Sequence, residues 1–256
     1  MKTIIKKTVG KFLEEWGHDK DIIGVVVCGS YVTGNPTKHS DIDLQIILSE
    51  GIRWRERGNR IINGILVEYF ANPPKQIKAY MEEDFKGRRQ MAPHMFFTGK
   101  IILDKKGIAR KLKKLAKSYL SKKYSKGTDF QIKNAKYSLW DMQDNLEEVY
   151  EASKGDFRFV YYNYLAEMLS KYSELIGFLK ISSNKVWRFL SDENDKKKYL
   201  VKDFPDKKFV KLFIKAIEIK NEKRMFEIYQ RLTNHILEKL GGFEVDGYKL
   251  KSDIDV

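Results

Sequence analysis

The sequence predicts an α+β protein in two parts, a small mixed sheet over residues 1–104 followed by an all-α helical bundle over residues 105–256. Two patterns of residues lead there. Strand-like runs rich in Val and Ile cluster before residue 104, and beyond it apolar residues recur at helical spacing almost without interruption. Charge divides unevenly as well. Of the 49 Lys/Arg and 35 Asp/Glu, 16 and 13 lie in residues 1–104 and the other 33 and 22 beyond, so the first part carries +3 and the second +11.

Taken in order, Ile5, Val9, Phe12, Leu13 and Trp16 mark an amphipathic first helix without the continuous apolar run of a signal peptide or membrane span. Ile22 to Cys28 and Ile42 to Leu48 read as buried strands separated by a break at Gly29-Ser30. Asn63-Gly64 is a hairpin turn whose second arm is Ile65 to Phe70. Pro73-Pro74 opens a short helix, and the strand "KIILD" ends at Asp104. Helices are expected near 107–124, 129–153, 157–180, 184–191, 206–220 and 222–240, with Gly155-Asp156, "SDENDKKK" and Phe204-Pro205-Asp206 as punctuation.

The formal charge of +14 favours polyanionic partners without choosing among them. Its densest stretch, Lys105 to Lys126, holds ten Lys/Arg and no acid. Ile108, Leu112, Leu115, Tyr119 and Leu120 form the buried stripe of that helix, leaving its lysines as a solvated face or an RNA or phosphate footprint. Cys28 is the only cysteine, which excludes an internal disulfide and a cysteine metal site and fits a soluble protein of the reducing cytoplasm.

Chemistry is concentrated in "VVVCGSYVTGNPTKHSDIDLQIIL", Val25 to Leu48. Residues two apart on a strand share a face, so Asp41 and Asp43 project side by side from otherwise apolar surroundings. Bare, they would repel; a divalent cation between them removes the conflict, and Mg²⁺ prefers such hard oxygen ligands. Glu68, in the apolar run "ILVEYF", completes the site if its strand lies beside the first. Three acids so arranged suit a pair of metals roughly 3.5–4 Å apart, which clamp attacking and leaving oxygens in phosphoryl or nucleotidyl transfer. Gly29 permits a sharp turn at the strand end, where exposed amides and the Ser30 hydroxyl can cradle a phosphate. Gly34 permits a second turn.

Gly29-Ser30, then Ser40-Asp41-Ile42-Asp43 on the next strand and an acid on a later one, resemble the DNA polymerase beta-like nucleotidyltransferase superfamily. Gly29, Ser30, Asp41 and Asp43 match its pattern outright. Glu68 stands where members usually have Asp, and Thr33 where many bacterial members have Arg. The specific likeness covers about residues 22–70. The layout, a compact domain followed by a helical bundle, is similar to bacterial aminoglycoside and related antibiotic nucleotidyltransferases.

The resemblance implies transfer of a nucleoside monophosphate, AMP from ATP being the expected case, from a magnesium-bound nucleoside triphosphate to an acceptor hydroxyl, with release of pyrophosphate. Asp41, Asp43 and Glu68 would hold two Mg²⁺, and Gly29, Ser30 and Ser40 would contact the nucleotide. The expected acceptor is a small hydroxylated, cationic molecule of the aminoglycoside type. A carboxylate of the helical part can act as general base in such enzymes, and Tyr137, Asp141, Asp144 and Glu148 form a polar stripe in which Asp141 and Asp144 are the candidates. Two alternatives stand beside this reading: an RNA-directed nucleotidyltransferase, and a catalytically inactive nucleotide-sensing module.

Overall fold

The Val- and Ile-rich runs of the first part pair into one five-stranded mixed sheet in the computed structural model, which describes residues 3–16, 20–34, 36–152 and 155–252. The strands are β1 (Ile22–Cys28), β2 (Ile42–Leu48), β3 (Glu56–Ile62), β4 (Ile65–Asn72) and β5 (Lys100–Asp104), in spatial order β3-β4-β2-β1-β5. β2 and β4 are parallel, and every other neighbouring pair is antiparallel. The β3–β4 hairpin turns at Asn63 (φ 53°) and Gly64 (φ 74°), the two left-handed positions a tight primed turn requires.

Alternation along β1 and β2 sends their side chains to opposite faces, and helices cover both. Val25, Val27, Ile42, Leu44 and Ile46 pack with Ile5, Val9 and Phe12 of α1 (Thr3–Trp16). Val26, Cys28 and Ile47 pack on the other face with α3 (Pro74–Lys86), α4 (Met91–Thr98) and α5 (Ile108–Ser121). Between β1 and β2 lies the single turn of α2 (Ser30–Thr33).

The chain divides into two compact units, Met1–Lys122 and Lys123–Val256. The sequence reading set this division at residue 104 and counted α5 with the bundle. By its packing α5 belongs to the first unit: Ile108, Ala109, Leu112 and Ala116 sit in the same core as Val26 and Ile47. An amphipathic stripe specifies that a helix is buried but not what buries it.

The second unit is all helix: α6 (Asp129–Ala152), α7 (Phe157–Leu175), α8 (Val186–Leu190), α9 (Glu193–Tyr199), α10 (Lys207–Glu218) and α11 (Glu222–Lys239). α7 stops five residues before the predicted limit of 180. Gly177 takes φ 72°, and the amides of Gly177 and Phe178 close on Glu174 and Ser173. α9 was expected to be punctuation; instead Asp192 accepts the amides of Asn194 and Asp195 at 2.8 and 2.9 Å, capping a short helix. α4 was also unforeseen, and Pro93 is tolerated in its first turn, where no intrahelical donor is lost. In the core, the Asp206 carboxylate accepts the Phe209 amide, capping α10, and bonds Tyr172 Oη at 2.7 Å and His235 Nε2 at 2.8 Å. Burial opposes that charge, yet these bonds hold the Asp206 carboxyl below its usual range. His235 therefore has a structural task. No helix among the described residues is long and apolar enough to cross a membrane. His18 and the terminal Asp253 to Val256 lie outside the described residues.

Candidate active site

The parallel register of β2 and β4 sets Asp43 directly beside Glu68. Asp41 lies one residue before β2, so its side chain joins theirs, and the three carboxylates offer oxygens that all lie within 4.8 Å of one another. Burial first, and then the charges of Asp41 and Glu68, push Asp43 from the usual 3.8 up to about 7. That crowding is what a divalent cation relieves. The donor set is three hard carboxylates, and a cationic group already engages one of them: Arg57 donates to Glu68 Oε1 through Nε at 3.2 Å and through Nη2. The residues present therefore fit a divalent cation site.

Gly29 is required where it stands. Its φ of 82° and ψ of −169° suit only glycine, and a Cβ there would lie 2.2 Å from Asp43 Oδ2. Its carbonyl accepts the amides of Val32 and Thr33, both at 3.1 Å, which winds α2 and sets Ser30 at the start of that turn next to the carboxylates. Gly34, with φ 86°, ends it. Ser40 Oγ accepts the Thr37 amide at 2.8 Å and so holds the turn that delivers Asp41. The neighbouring Cys28 thiol donates to Met95 O at 3.2 Å; burial and then the Asp43 charge raise its pKa far above the ordinary range, so it is a packed thiol rather than a nucleophile.

A cavity of about 720 Å³ opens from Asp43 and Glu68 along the β4 side of the sheet. Phe70 and Ile77 line it, with Met91, Met95 and Phe96 across from them. Two carboxamides also line it, Gln45 at 7% and Asn72 at 4% exposure. The one hydrogen bond of the Gln45 carboxamide is Nε2 to Met95 Sδ at 3.9 Å, and the Asn72 carboxamide has no partner among the described residues. Arg55, bonded to Tyr80 Oη, and Arg57, stacked 5.0 Å from the centre of the Phe70 ring, stand on its wall. Sequence reasoning missed all four of these polar residues. The signal for Gln45 and Asn72 was the one that exposed Asp43, a polar residue within an apolar strand.

In the second unit, Asp141 is half-buried and accepts Asn145 Nδ2 at 3.1 Å, whereas Asp144 and Glu148 are exposed. Burial, then the charges of Asp141 and Glu167, raise the pKa of Tyr164 on α7. Tyr137 stacks on Tyr248 with ring centres 4.8 Å apart. The predicted stripe is thus one helix face with unequal members.

Residues 5–119 match the nucleotidyltransferase domain family, so the first unit carries a domain of the nucleotidyltransferase superfamily with the polymerase beta-like fold, a domain of a catalytic class. No curated protein matches the sequence. Among solved structures, the chain is similar to a nucleotidyltransferase-like protein from Exiguobacterium sibiricum 255-15, with a TM-score of 0.46 and 11% identity over 92% of this chain and 75% of that one.

Proposed function

We propose that the protein transfers a nucleoside monophosphate, AMP from ATP, to a hydroxyl of a small molecule in the cytoplasm. The observation that carries this reading is the register that sets Glu68 beside Asp43, with Asp41 adjoining and the Gly29-Ser30 turn against Asp43. Asp41, Asp43 and Glu68 would hold two magnesium ions, which when bound polarise the phosphoryl oxygens and lower the pKa of the acceptor hydroxyl. Ser30 and the first amides of α2 orient the β- and γ-phosphates, while Ser40 supports Asp41. The acceptor oxygen bonds to the α-phosphorus as the bond to the bridging oxygen breaks. Pyrophosphate takes the electron pair, and the hydroxyl proton passes to a base, for which Asp141 and Asp144 are the candidates.

The test is pyrophosphate release by the pure protein with Mg²⁺ and each nucleoside triphosphate, offered aminoglycosides, lincosamides, sugar phosphates and short RNAs. Release that needs a small acceptor and is lost in Asp41→Asn supports the reading. Release with RNA alone assigns the chain to the RNA-directed class. Tight nucleotide binding with no turnover on any acceptor makes it a sensing module. An aminoglycoside acceptor would make the activity one of antibiotic resistance.

A further inference from the structure

We propose that the cavity beside Asp43 and Glu68 is the acceptor pocket, and that it takes a polyhydroxylated small molecule bearing a phosphate or carboxylate group, held by Arg55 and Arg57. This rests on the transferase reading above. It replaces the cationic acceptor expected from the sequence with an anionic one.

Topology places the pocket. In the order β3-β4-β2-β1-β5, the Gly29-Ser30 turn leaves β1 on one side of Asp43, while the cavity runs along β4 and β3 on the other. In-line displacement needs attacking and leaving oxygens on opposite sides of the phosphorus. With the leaving pyrophosphate on the Ser30 side, the acceptor comes from the cavity side, where Glu68 lies. A volume of about 720 Å³ suits a small molecule.

Chemistry then selects the occupant. Gln45 and Asn72 are buried residues whose carboxamide atoms have one weak sulfur contact between them and open onto the cavity, where a ligand can bond them. Donor and acceptor atoms of that kind match the hydroxyls of a sugar-like ring, and Ile77, Met95 and Phe96 give the same space apolar walls. Arg55 and Arg57, two apart on β3 and its lead-in, then weigh on the charge: beyond the metal ligands, the acids of the same wall are Glu56, which accepts the Tyr69 hydroxyl at 2.6 Å, Asp84, which pairs with Arg89 at 3.2 Å, and Glu83. Arg55 has only the neutral Tyr80 hydroxyl as partner and no carboxylate among the described residues. Arg57 is held by Glu68, which is one of the three proposed metal ligands. Once Glu68 serves a metal, the guanidinium is released to pair with an anion on the acceptor. With Asp84 paired to Arg89 and Glu56 bonded by Tyr69, a cationic acceptor would meet Arg55 and Arg57 with Glu83 as the one acid not so engaged among the described residues of that wall.

The test is calorimetric titration of the full chain with Mg²⁺ and α,β-methylene ATP or GTP, using glucose 6-phosphate, glucuronate, glucose and kanamycin as probes. An anionic probe should bind at least about tenfold more tightly than glucose or kanamycin, the scale of one charge-assisted hydrogen bond. Arg55→Gln and Arg57→Gln should each erase that advantage, and Arg55→Gln should leave the affinity for the nucleotide analogue unchanged. Both arginines are exposed, so neither substitution threatens folding; Asn72→Ala tests the pocket floor and should weaken the same probe. The proposal is overturned if kanamycin binds as well as the anions, if no anionic probe binds, or if anion binding survives both arginine substitutions. Weaker analogue binding in Arg55→Gln would also overturn it, by assigning the arginines to the triphosphate. If neither analogue binds with Mg²⁺, the transferase reading itself fails and this proposal with it; analogue binding without anion binding sinks the acceptor alone.

Discussion

Asp43→Asn should abolish nucleotidyl transfer and, in metal-free protein at pH 8, make the chain more stable. Asp43 is raised from 3.8 to about 7, first by burial and then by Asp41 and Glu68. Fully expressed, that displacement corresponds to about 4 kcal/mol. Asp43 faces a cavity that admits water and counterions, so screening reduces the expected effect to about 2 kcal/mol. The sign follows from proton counts. Between about pH 4 and pH 7 the folded chain keeps a proton on Asp43 that the unfolded chain has released, so stability falls as pH rises through that window and the deficit is complete above about 7. Asparagine carries no such charge. Thermal unfolding in chelator at pH 4, 6 and 8 should show the two proteins converging near pH 4 and the variant ahead at pH 8 by roughly 4–8 °C. Added Mg²⁺ should raise the wild type and leave the variant nearly unmoved. A difference that ignores pH, or a variant that still turns over with Mg²⁺, would refute the carboxylate cluster as a metal site.

Gly29→Ala should destabilise the first unit by about 2 kcal/mol or more and end turnover, since its φ of 82° is forbidding and its new methyl would meet Asp43 Oδ2; denaturant unfolding alongside an activity assay checks both. Ser30→Ala should weaken nucleotide binding by about 1–2 kcal/mol in calorimetry with the fold unchanged, and unchanged affinity would move the phosphates elsewhere. Asp141→Asn and Asp144→Asn should diverge in rate on the true acceptor, with a loss of roughly 10²–10⁴-fold for whichever acts as base. Normal turnover in both would make the stripe plain surface.

What could be read from the sequence was whatever depends on local alternation. Asp41, Asp43 and Glu68 stood out because each is a charge within an apolar strand or at its threshold, and Asn63-Gly64 named its hairpin because few other pairs accept two left-handed positions. Pairing was less accessible. Glu68 meets Asp43 only because the β3–β4 hairpin sets β4, rather than β3, beside β2 and parallel to it, a choice that no short-range pattern records. α9 was hidden because "SDENDKKK" looks like a solvated charge run, although Asp192 caps it and Lys196, at 7% exposure, is buried against Asp203 at 2.6 Å. The cavity was invisible for the same reason as the pairing: its walls come from three strands and two helices, and neither Arg57 nor Asn72 signals alone that it will line the same space as the other.

Assigning α5 to the first unit also reverses the charge argument. Of the 49 Lys/Arg and 35 Asp/Glu, 24 and 13 fall in Met1–Lys122, a net +11, and the remaining 25 and 22 in Lys123–Val256, a net +3. The acidic face of α6 thus belongs to a nearly balanced unit and asks for no special cause, which weakens the case that it exists to receive a cation. The field belongs instead to the unit that holds the carboxylates. A strongly basic surface attracts polyphosphates and other anions from solution, raising their local concentration and encounter rate. Within that unit Asp41, Asp43 and Glu68 are gathered against the prevailing sign, with Arg57 drawn in against Glu68. If the proposed transfer to an anionic acceptor holds, such a field would collect both substrates, and the local reversal of sign would reserve one spot for the metal between them.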